Sequence, residues 1–250
     1  MKKDYRFEKV IGIFSDLKRG KMLDLGCSEG DYSHDLKMMG FDVTASDMDR
    51  DRFKYHGSVK FEDCDLRMPL PFADEAFDYV LFLEVIEHLR APFAVMREIS
   101  RILKPGGVLF LSTPNILNIG SRLRFLFEGG YDFFREPLLD YVKLGKHKLH
   151  SMHIIPWRYQ ELEYLLFENN LCVDNIYTDF VKSKLKIISL FLKPFLKLQC
   201  RLKEQRSLGK GEVNYGRINR VLFSDEVLLG RHLIVKARKG AARPVIQRCS

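Results

Sequence analysis

The chain has 250 residues, 46% hydrophobic and 30% charged, the make-up of a water-soluble globular protein long enough to bury a sizeable core. No apolar run reaches the roughly 18 residues of a bilayer-spanning helix, and the opening MKKDYRFEKV, with Asp4 and Glu8 and no apolar run behind it, does not read as a secretory signal. The net charge of +8 is unevenly spread: residues 1–180 hold 24 Lys and Arg against 29 Asp and Glu, while 181–250 hold 17 against 4. An acidic body with a basic C-terminal part suggests either a polyanionic or membrane-surface partner or a solvated basic face.

Along the chain, Tyr5, Val10, Ile13, Phe14 and Leu17 predict a leading helix over 5–18, stopped at Gly20. Strands are expected at Met22–Leu25, Phe41–Ala45, Val59–Phe61, Tyr79–Leu83 and Val108–Ser112. Helices are expected at Tyr32–Met39 and 91–103, the latter ended by Lys104-Pro105-Gly106-Gly107. Strand–helix alternation of this kind implies an α/β fold with a parallel sheet and right-handed crossovers. Further on, 116–152 reads as a helical insertion, 157–169 as an amphipathic helix, and Cys172–Thr178 and His232–Ala237 as strands. The expected organisation is a single domain over 1–250, with cap insertions at about 116–152 and 179–225 and a frayed tail at 239–250. Within 182–198, Lys182, Lys186, Lys193 and Lys197 fall within about 60° on a helical wheel, with apolar residues on the other sides. That is the pattern of an interfacial helix, or of a packed helix with solvated lysines. Five cysteines without a CxxC pair suggest reduced thiols and a cytoplasmic protein.

Three segments carry candidate cofactor chemistry. In LDLGCSEG (Leu23–Gly30), a strand runs into a glycine turn: Asp24 places a carboxylate at the strand's end, Gly26 permits an unusual backbone conformation, and Gly30 allows close approach of a ligand. Asp47, 17 residues past Gly30, stands at the end of the second strand, where an acid can accept two ribose hydroxyls or cap a helix. Asp65, after the third strand, could accept from an adenine amino group between nearby Met and Leu side chains.

Taken in order, LDLGCSEG, Asp47, DLRMPLPFADEAFDYV, EVIEHL and RILKPGGVLFLSTPN resemble the class I S-adenosylmethionine-dependent methyltransferase family, closely over about 20–115 and loosely over 150–180. The resemblance implies a Rossmann-like, seven-stranded, mostly parallel sheet with helices on both faces and its last strand antiparallel. It implies S-adenosyl-L-methionine as cofactor. The methionine part would lie at Asp24, Gly26 and Gly30, the ribose at Asp47, the adenine near Met48, Asp65 and Leu66, and the methionyl end beside the Leu83 backbone. Ser28 departs from the family, which commonly has glycine there.

In EVIEHL, Glu84, Glu87 and His88 stand at i, i+3 and i+4 and would share one face of a helical turn. His88, with Glu87 or Glu84 nearby, could take the acceptor's proton. The segment is also similar to the ubiquinone-pathway O-methyltransferases and to the small-RNA 2′-O-methyltransferases. That resemblance implies a Mg²⁺ site made of Glu84, Glu87, His88 and His153, the last standing in His153-Ile-Ile-Pro-Trp157; plain packing of His88 is the competing reading. His147, His150 and His153 cluster by sequence, while Trp157 and Tyr159 read mainly as helix-packing residues. The expected function is O-methylation of a small-molecule, glycan or lipid-linked acceptor by a cytoplasmic transferase peripheral to the membrane through 182–198. A metal-dependent RNA 2′-O-methyltransferase and a non-catalytic cofactor-binding protein are the rivals.

Overall fold

The structure, a computed structural model, describes residues 5–135, 137–139, 152–181, 186–187, 189–191, 193–196, 198, 201–202 and 215–240. In chain order these form α1 (Tyr5–Phe14), β1 (Lys21–Leu25), α2 (Asp31–Met38), β2 (Asp42–Asp47), β3 (Lys60–Asp63), β4 (Phe77–Leu83), α3 (Pro92–Ile102), β5 (Leu103–Pro114) and α4 (Ile119–Glu128). Then come α5 (Tyr159–Glu168), β6 (Leu171–Tyr177), α6 (Tyr215–Leu222), α7 (Asp225–Leu229) and β7 (His232–Lys239). The sheet has seven strands in the order β3-β2-β1-β4-β5-β7-β6. The pairs among β1 to β5 are parallel, and β7 runs antiparallel to both β5 and β6. This is the mostly parallel sheet with one reversed strand that the family resemblance implies.

The inner strands are buried on both faces, as a parallel sheet covered by helices requires. Leu23 and Leu25 of β1, Leu109 and Leu111 of β5 and Val235 of β7 face α3 and α5 through Val95, Met96, Ile99, Leu162 and Leu165. The alternate residues Met22, Phe110 and Ile234 face Val10 and Phe14 of α1 and Leu36 of α2. The parallel strands β1, β2, β4 and β5 therefore end along one edge, where loops carry the polar residues.

β5 begins earlier than the sequence suggests. Leu103 pairs with Phe77 before a register slip ahead of Tyr79↔Val108, so Lys104–Gly107 lies within an irregular strand. The helical stop there is real, since α3 ends at Ile102, but the chain turns straight into the sheet. The helix α6, inside the stretch anticipated only as a cap, and α7, which begins at the last residue of that stretch, are additional. His147 and His150, the tail beyond Gly240 and much of both anticipated caps lie outside the described residues.

Asn115, just past β5, ties this edge together. Its buried amide donates to the carbonyls of Val227 and Gly230 at 2.9 Å each, and its oxygen accepts from Leu117 N at 3.0 Å. Replacing it strands buried carbonyls at the end of α7, each such loss costing on the order of 1–3 kcal/mol. Asn115→Ala should therefore lower the unfolding free energy by about 2–3 kcal/mol in a denaturant titration; an unchanged midpoint would remove this clasp from the account.

Candidate functional site

The loop after β1 is held by its neighbour β2. The amides of Gly26 and Cys27 both donate to the Ser46 carbonyl, at 2.8 and 3.0 Å. Ser28 N donates to Asp47 Oδ2 at 2.8 Å, and Asp49 N donates to Asp47 Oδ1 at 3.1 Å. A carboxylate oxygen can accept more than one hydrogen bond, so these backbone contacts fix the orientation of Asp47 without exhausting it. Ser28 itself takes a left-handed backbone, φ 51°, which explains why glycine is the commoner residue there.

Gly26 and Gly30 have φ of +81° and +85°. A Cβ on Gly26 would stand 2.6 Å from Val85 Cγ2, and one on Gly30 would stand 2.2 Å from Phe53 Cε2. Both glycines are thus demanded by backbone and packing together. Gly30 leads into α2, whose first amides point back at the loop. Cys27 is buried, which pushes its thiol up and keeps it unreactive.

Asp24 is 3% exposed and accepts from Ser33 Oγ at 2.5 Å. Burial pushes its carboxyl up to about 6, the Ser33 hydroxyl pulls it down, and the nearby negative Asp47 raises it again. The sequence reading found Asp24 but not Ser33, whose sole signal is its place one turn into α2.

On the far side of the loop, Met48 is half exposed, while Asp65 and Leu66 are partly buried. Asp65 is held by Arg67, whose Nε and Nη2 donate to the carboxylate at 2.9 and 2.5 Å, and this pairing keeps the carboxyl below its usual range. Of these expected nucleoside residues, Asp47 contacts the loop directly through Ser28 N, and Asp65 is engaged by a guanidinium.

EVIEHL departs from the expected single face. Only Ile86–His88 forms a turn of 3₁₀-helix, and Glu84 precedes it with φ 57°. The i and i+3 positions therefore do not converge. Glu84 turns toward β5 and β7: its Oε1 accepts from Ser112 Oγ at 2.7 Å, and its Oε2 lies 3.5 Å from His232 Nε2. His232 Nδ1 is 2.5 Å from Asp179 Oδ2, and its backbone amide donates to Asp179 Oδ1 at 3.0 Å. Burial opposes ionisation of Asp179, yet these contacts with His232 hold its carboxyl below the usual range. The sequence reading missed Ser112, Asp179 and His232; their signal lies in strand ends brought together only by the antiparallel β7.

Glu87, His88 and His153 do converge, bringing one ligand atom each within 4.8 Å of one another. Glu87 is fully buried: its Oε2 accepts from Thr113 Oγ1 at 3.1 Å, and its Oε1 lies 4.0 Å from His153 Nε2. The backbone carbonyl of Glu87 accepts from Ile154 N and Ile155 N, which brings the 152–155 segment onto the 3₁₀ turn. His88 Nδ1 lies 2.9 Å from the Met152 carbonyl and His153 Nδ1 lies 3.0 Å from that of Phe133. A carbonyl can only accept, so in its neutral form each imidazole carries the proton on Nδ1 and has its lone pair on Nε2.

That arrangement can either abstract a proton or bind a cation. The four-ligand Mg²⁺ set implied by the resemblance is corrected here: Glu84 lies with Ser112 and His232, outside the group of three. Two imidazoles and one carboxylate form a donor set suited to Mn²⁺, Fe²⁺ or Zn²⁺ more than to oxygen-seeking Mg²⁺. Trp157 and Tyr159 pack as expected, both buried, with Trp157 Nε1 donating to Ile86 O at 3.4 Å.

The state of Asp24 makes stability pH-dependent. Its carboxyl titrates near 3.8 in the unfolded chain and near 6 when folded, so ionising it costs the folded state as pH rises from about 4 to about 6. The difference corresponds to about 3 kcal/mol. Asp24→Asn should match the unaltered chain in stability below pH 4 and exceed it by about that amount above pH 6. Parallel stability–pH curves would show that Asp24 is not held in this way.

Residues 23–111 match the family model described as a methyltransferase domain. Among curated relatives, a ubiquinone biosynthesis O-methyltransferase of Xanthomonas oryzae is 38% identical over 108 residues, 40% of this chain and 45% of that protein. One from Aliivibrio fischeri is 30% identical over 161 residues, 61% of this chain and 64% of that protein. The chain thus spans about half to two thirds of the length of these relatives. An S-adenosylmethionine-dependent methyltransferase from Archaeoglobus fulgidus shares the fold, with a TM-score of 0.56 at 16% identity, covering 94% of this chain and 91% of that one. The glycine loop, the strand order and these likenesses agree: residues 23–111 match a methyltransferase domain, and the sheet has the fold of S-adenosylmethionine-dependent methyltransferases of known structure.

Proposed function

We propose that this protein transfers a methyl group from S-adenosylmethionine to a hydroxyl oxygen of a small-molecule, glycan or lipid-linked acceptor. The observation that carries this reading is the placement of two clusters along one sheet edge. The loop of Asp24, Gly26, Gly30 and Asp47 stands at the ends of β1 and β2, and Glu87 and His88 follow β4, where the 152–155 segment brings His153 beside them.

The cofactor supplies a methyl group on a sulfonium that leaves as a neutral thioether. The protein's tasks are to hold the donor, align the acceptor oxygen and accept its proton. Asp47, oriented by Ser28 N and Asp49 N, would accept the ribose hydroxyls. Met48, Asp65 and Leu66 would border the adenine, with Arg67 yielding Asp65 to it. Gly26 and Gly30 would let the backbone approach the methionine part beside Asp24, and the Leu83 backbone would border its methionyl end. His88 Nε2, with its tautomer set by the Met152 carbonyl and with Glu87 close by, is the group suited to take the acceptor proton. The O-methyl choice draws on what the relatives are named for; a cytoplasmic placement peripheral to a membrane completes the reading.

A second reading keeps the same transfer but has Glu87, His88 and His153 hold a divalent ion that orients the acceptor and lowers its pKa. Both Nδ1 atoms donate to backbone carbonyls, the arrangement that commonly orients histidine ligands. RNA 2′-oxygen would be an acceptor open to this version.

Asp47→Ala should weaken cofactor binding by about 1–3 kcal/mol in calorimetry through lost ribose hydrogen bonds. Unchanged affinity would take Asp47 out of the site. His88→Ala should retain cofactor binding and lose transfer in a labelled-methyl screen against lipid, glycan and RNA fractions. Failure of the unaltered chain to bind S-adenosylmethionine would overturn the whole proposal. For the second reading, Mn²⁺ should bind the apo-protein, seen by electron paramagnetic resonance, and His153→Ala should abolish that binding. No Mn²⁺ signal change would leave His88 as the proton acceptor alone.

A further inference from the structure

The described residues between 186 and 202 are all helical, and they are turned opposite to the usual sense for a helix on a protein surface. Ser189 is buried, while Lys193 and Leu196 are partly covered. Exposed to the outside are Ile187 (66%), Leu190 (71%), Phe191 (76%), Phe195 (57%), Leu198 (54%) and Leu202 (42%). At about 100° per residue these six, with Pro194, fall within an arc of about 140°. The described residues of this stretch therefore present an apolar stripe outward, with Arg201 at its edge, and turn Ser189 and Lys193 inward.

Two contacts hold it in this sense. Lys193 forms an ion pair with Asp225 at the start of α7. Upstream, Val181 bridges to Gly230 and Arg231 N donates to the Phe180 carbonyl, tying the segment to the start of β7. Because α7 is clasped by Asn115 at the end of β5, the stripe belongs to the same edge of the sheet as Glu87 and His88.

The charge beside the stripe identifies what covers it. Residues 181–203 contain seven basic residues and no acidic one. Lys193 is spent on Asp225, but Lys186 and Arg201 are exposed, Lys186 just outside one edge of the stripe on the wheel and Arg201 just inside that same edge. A second copy of this face would bring like charges together. A folded nucleic acid would leave six aliphatic and phenyl side chains without an apolar partner. An anionic lipid surface satisfies both features, since phenyl and aliphatic groups enter the acyl boundary while long basic side chains reach the headgroups. We propose that the 186–202 helix docks this protein on an anionic bilayer through Ile187, Leu190, Phe191, Phe195, Leu198 and Leu202, with Lys186 and Arg201 on the headgroups. Docking there would lie beside the carboxyl edge of the sheet, which deepens the proposed function by making the acceptor one delivered from the membrane, and to that extent rests on it.

The test is co-sedimentation of the full chain with vesicles of phosphatidylcholine and phosphatidylserine, alongside calorimetry with S-adenosylmethionine. The unaltered chain should sediment with anionic vesicles, in part even at high salt. Phe191→Ser with Phe195→Ser should lower vesicle affinity by about tenfold or more, as two inserted side chains of that size imply. Lys186→Glu with Arg201→Glu should weaken binding to anionic vesicles and flatten its dependence on salt. Cofactor affinity should be unaltered in both variants, which separates failure of docking from failure of the methyltransferase reading. No sedimentation of the unaltered chain would overturn the proposal. So would apolar variants that only convert a dimer to a monomer, or tight binding to polyuridylate that the Phe191 and Phe195 changes leave intact.

Discussion

The Ser46 carbonyl accepts two amides, and Asp47 next to it accepts a third from Ser28. These three bonds bolt the loop after β1 onto the end of β2. Without them the left-handed backbone at Gly26, Ser28 and Gly30 would have no reason to persist. With them, a carboxylate, a glycine bend and the start of α2 become one rigid rim. The arrangement is self-consistent before any ligand arrives, because Val85 and Phe53 fill the space a Cβ would need. Preorganisation of this sort spares a bound cofactor the cost of ordering the loop.

The second rim is built differently. The 3₁₀ turn at Ile86–His88 is short and receives the 152–155 segment through two amides on the Glu87 carbonyl. That docking brings His153 beside His88, with ring centroids 4.8 Å apart, although 64 residues separate them. Each imidazole bonds through Nδ1 to a backbone carbonyl, so the geometry follows from how the segment is laid down. Beside it, Ser112, Glu84, His232 and Asp179 form a separate polar chain across β4, β5 and β7. Phe133 stands between the two groups: its carbonyl bonds to His153, and its ring lies 5.2 Å from that of His232. The edge therefore carries two histidine systems of distinct electrostatic character, one facing lone pairs and one enclosed by carboxylates.

Much of this was legible in one dimension because it depends on local patterns. Short apolar runs alternating with helical periodicity predict strands and helices, since a parallel sheet buried on both faces needs continuous apolar strands. The glycine turn and the acid at the next strand's end are equally local. Hence Asp24, Gly26, Gly30 and Asp47 come together where the motif implies. The reading of Glu84 failed for an equally physical reason. A spacing of three residues puts side chains on one face only if the backbone is helical through both, and Glu84 sits in a left-handed bend before the turn starts.

The amino-acid sequence by itself determined the fold class, the glycine loop with its acids, the Glu87–His88 pair and the basic, acid-free stretch near residue 190. Each is written in neighbouring residues and in the periodicity of burial. Only the tertiary structure decided that His153 joins Glu87 and His88, that Glu84 leaves them for Ser112 and His232, and that Asp65 is engaged by Arg67. It also decided that the helix near residue 190 faces outward with its apolar side. Those outcomes depend on contacts between segments distant in the chain and on the direction in which each side chain leaves a particular backbone conformation, neither of which spacing along a sequence encodes.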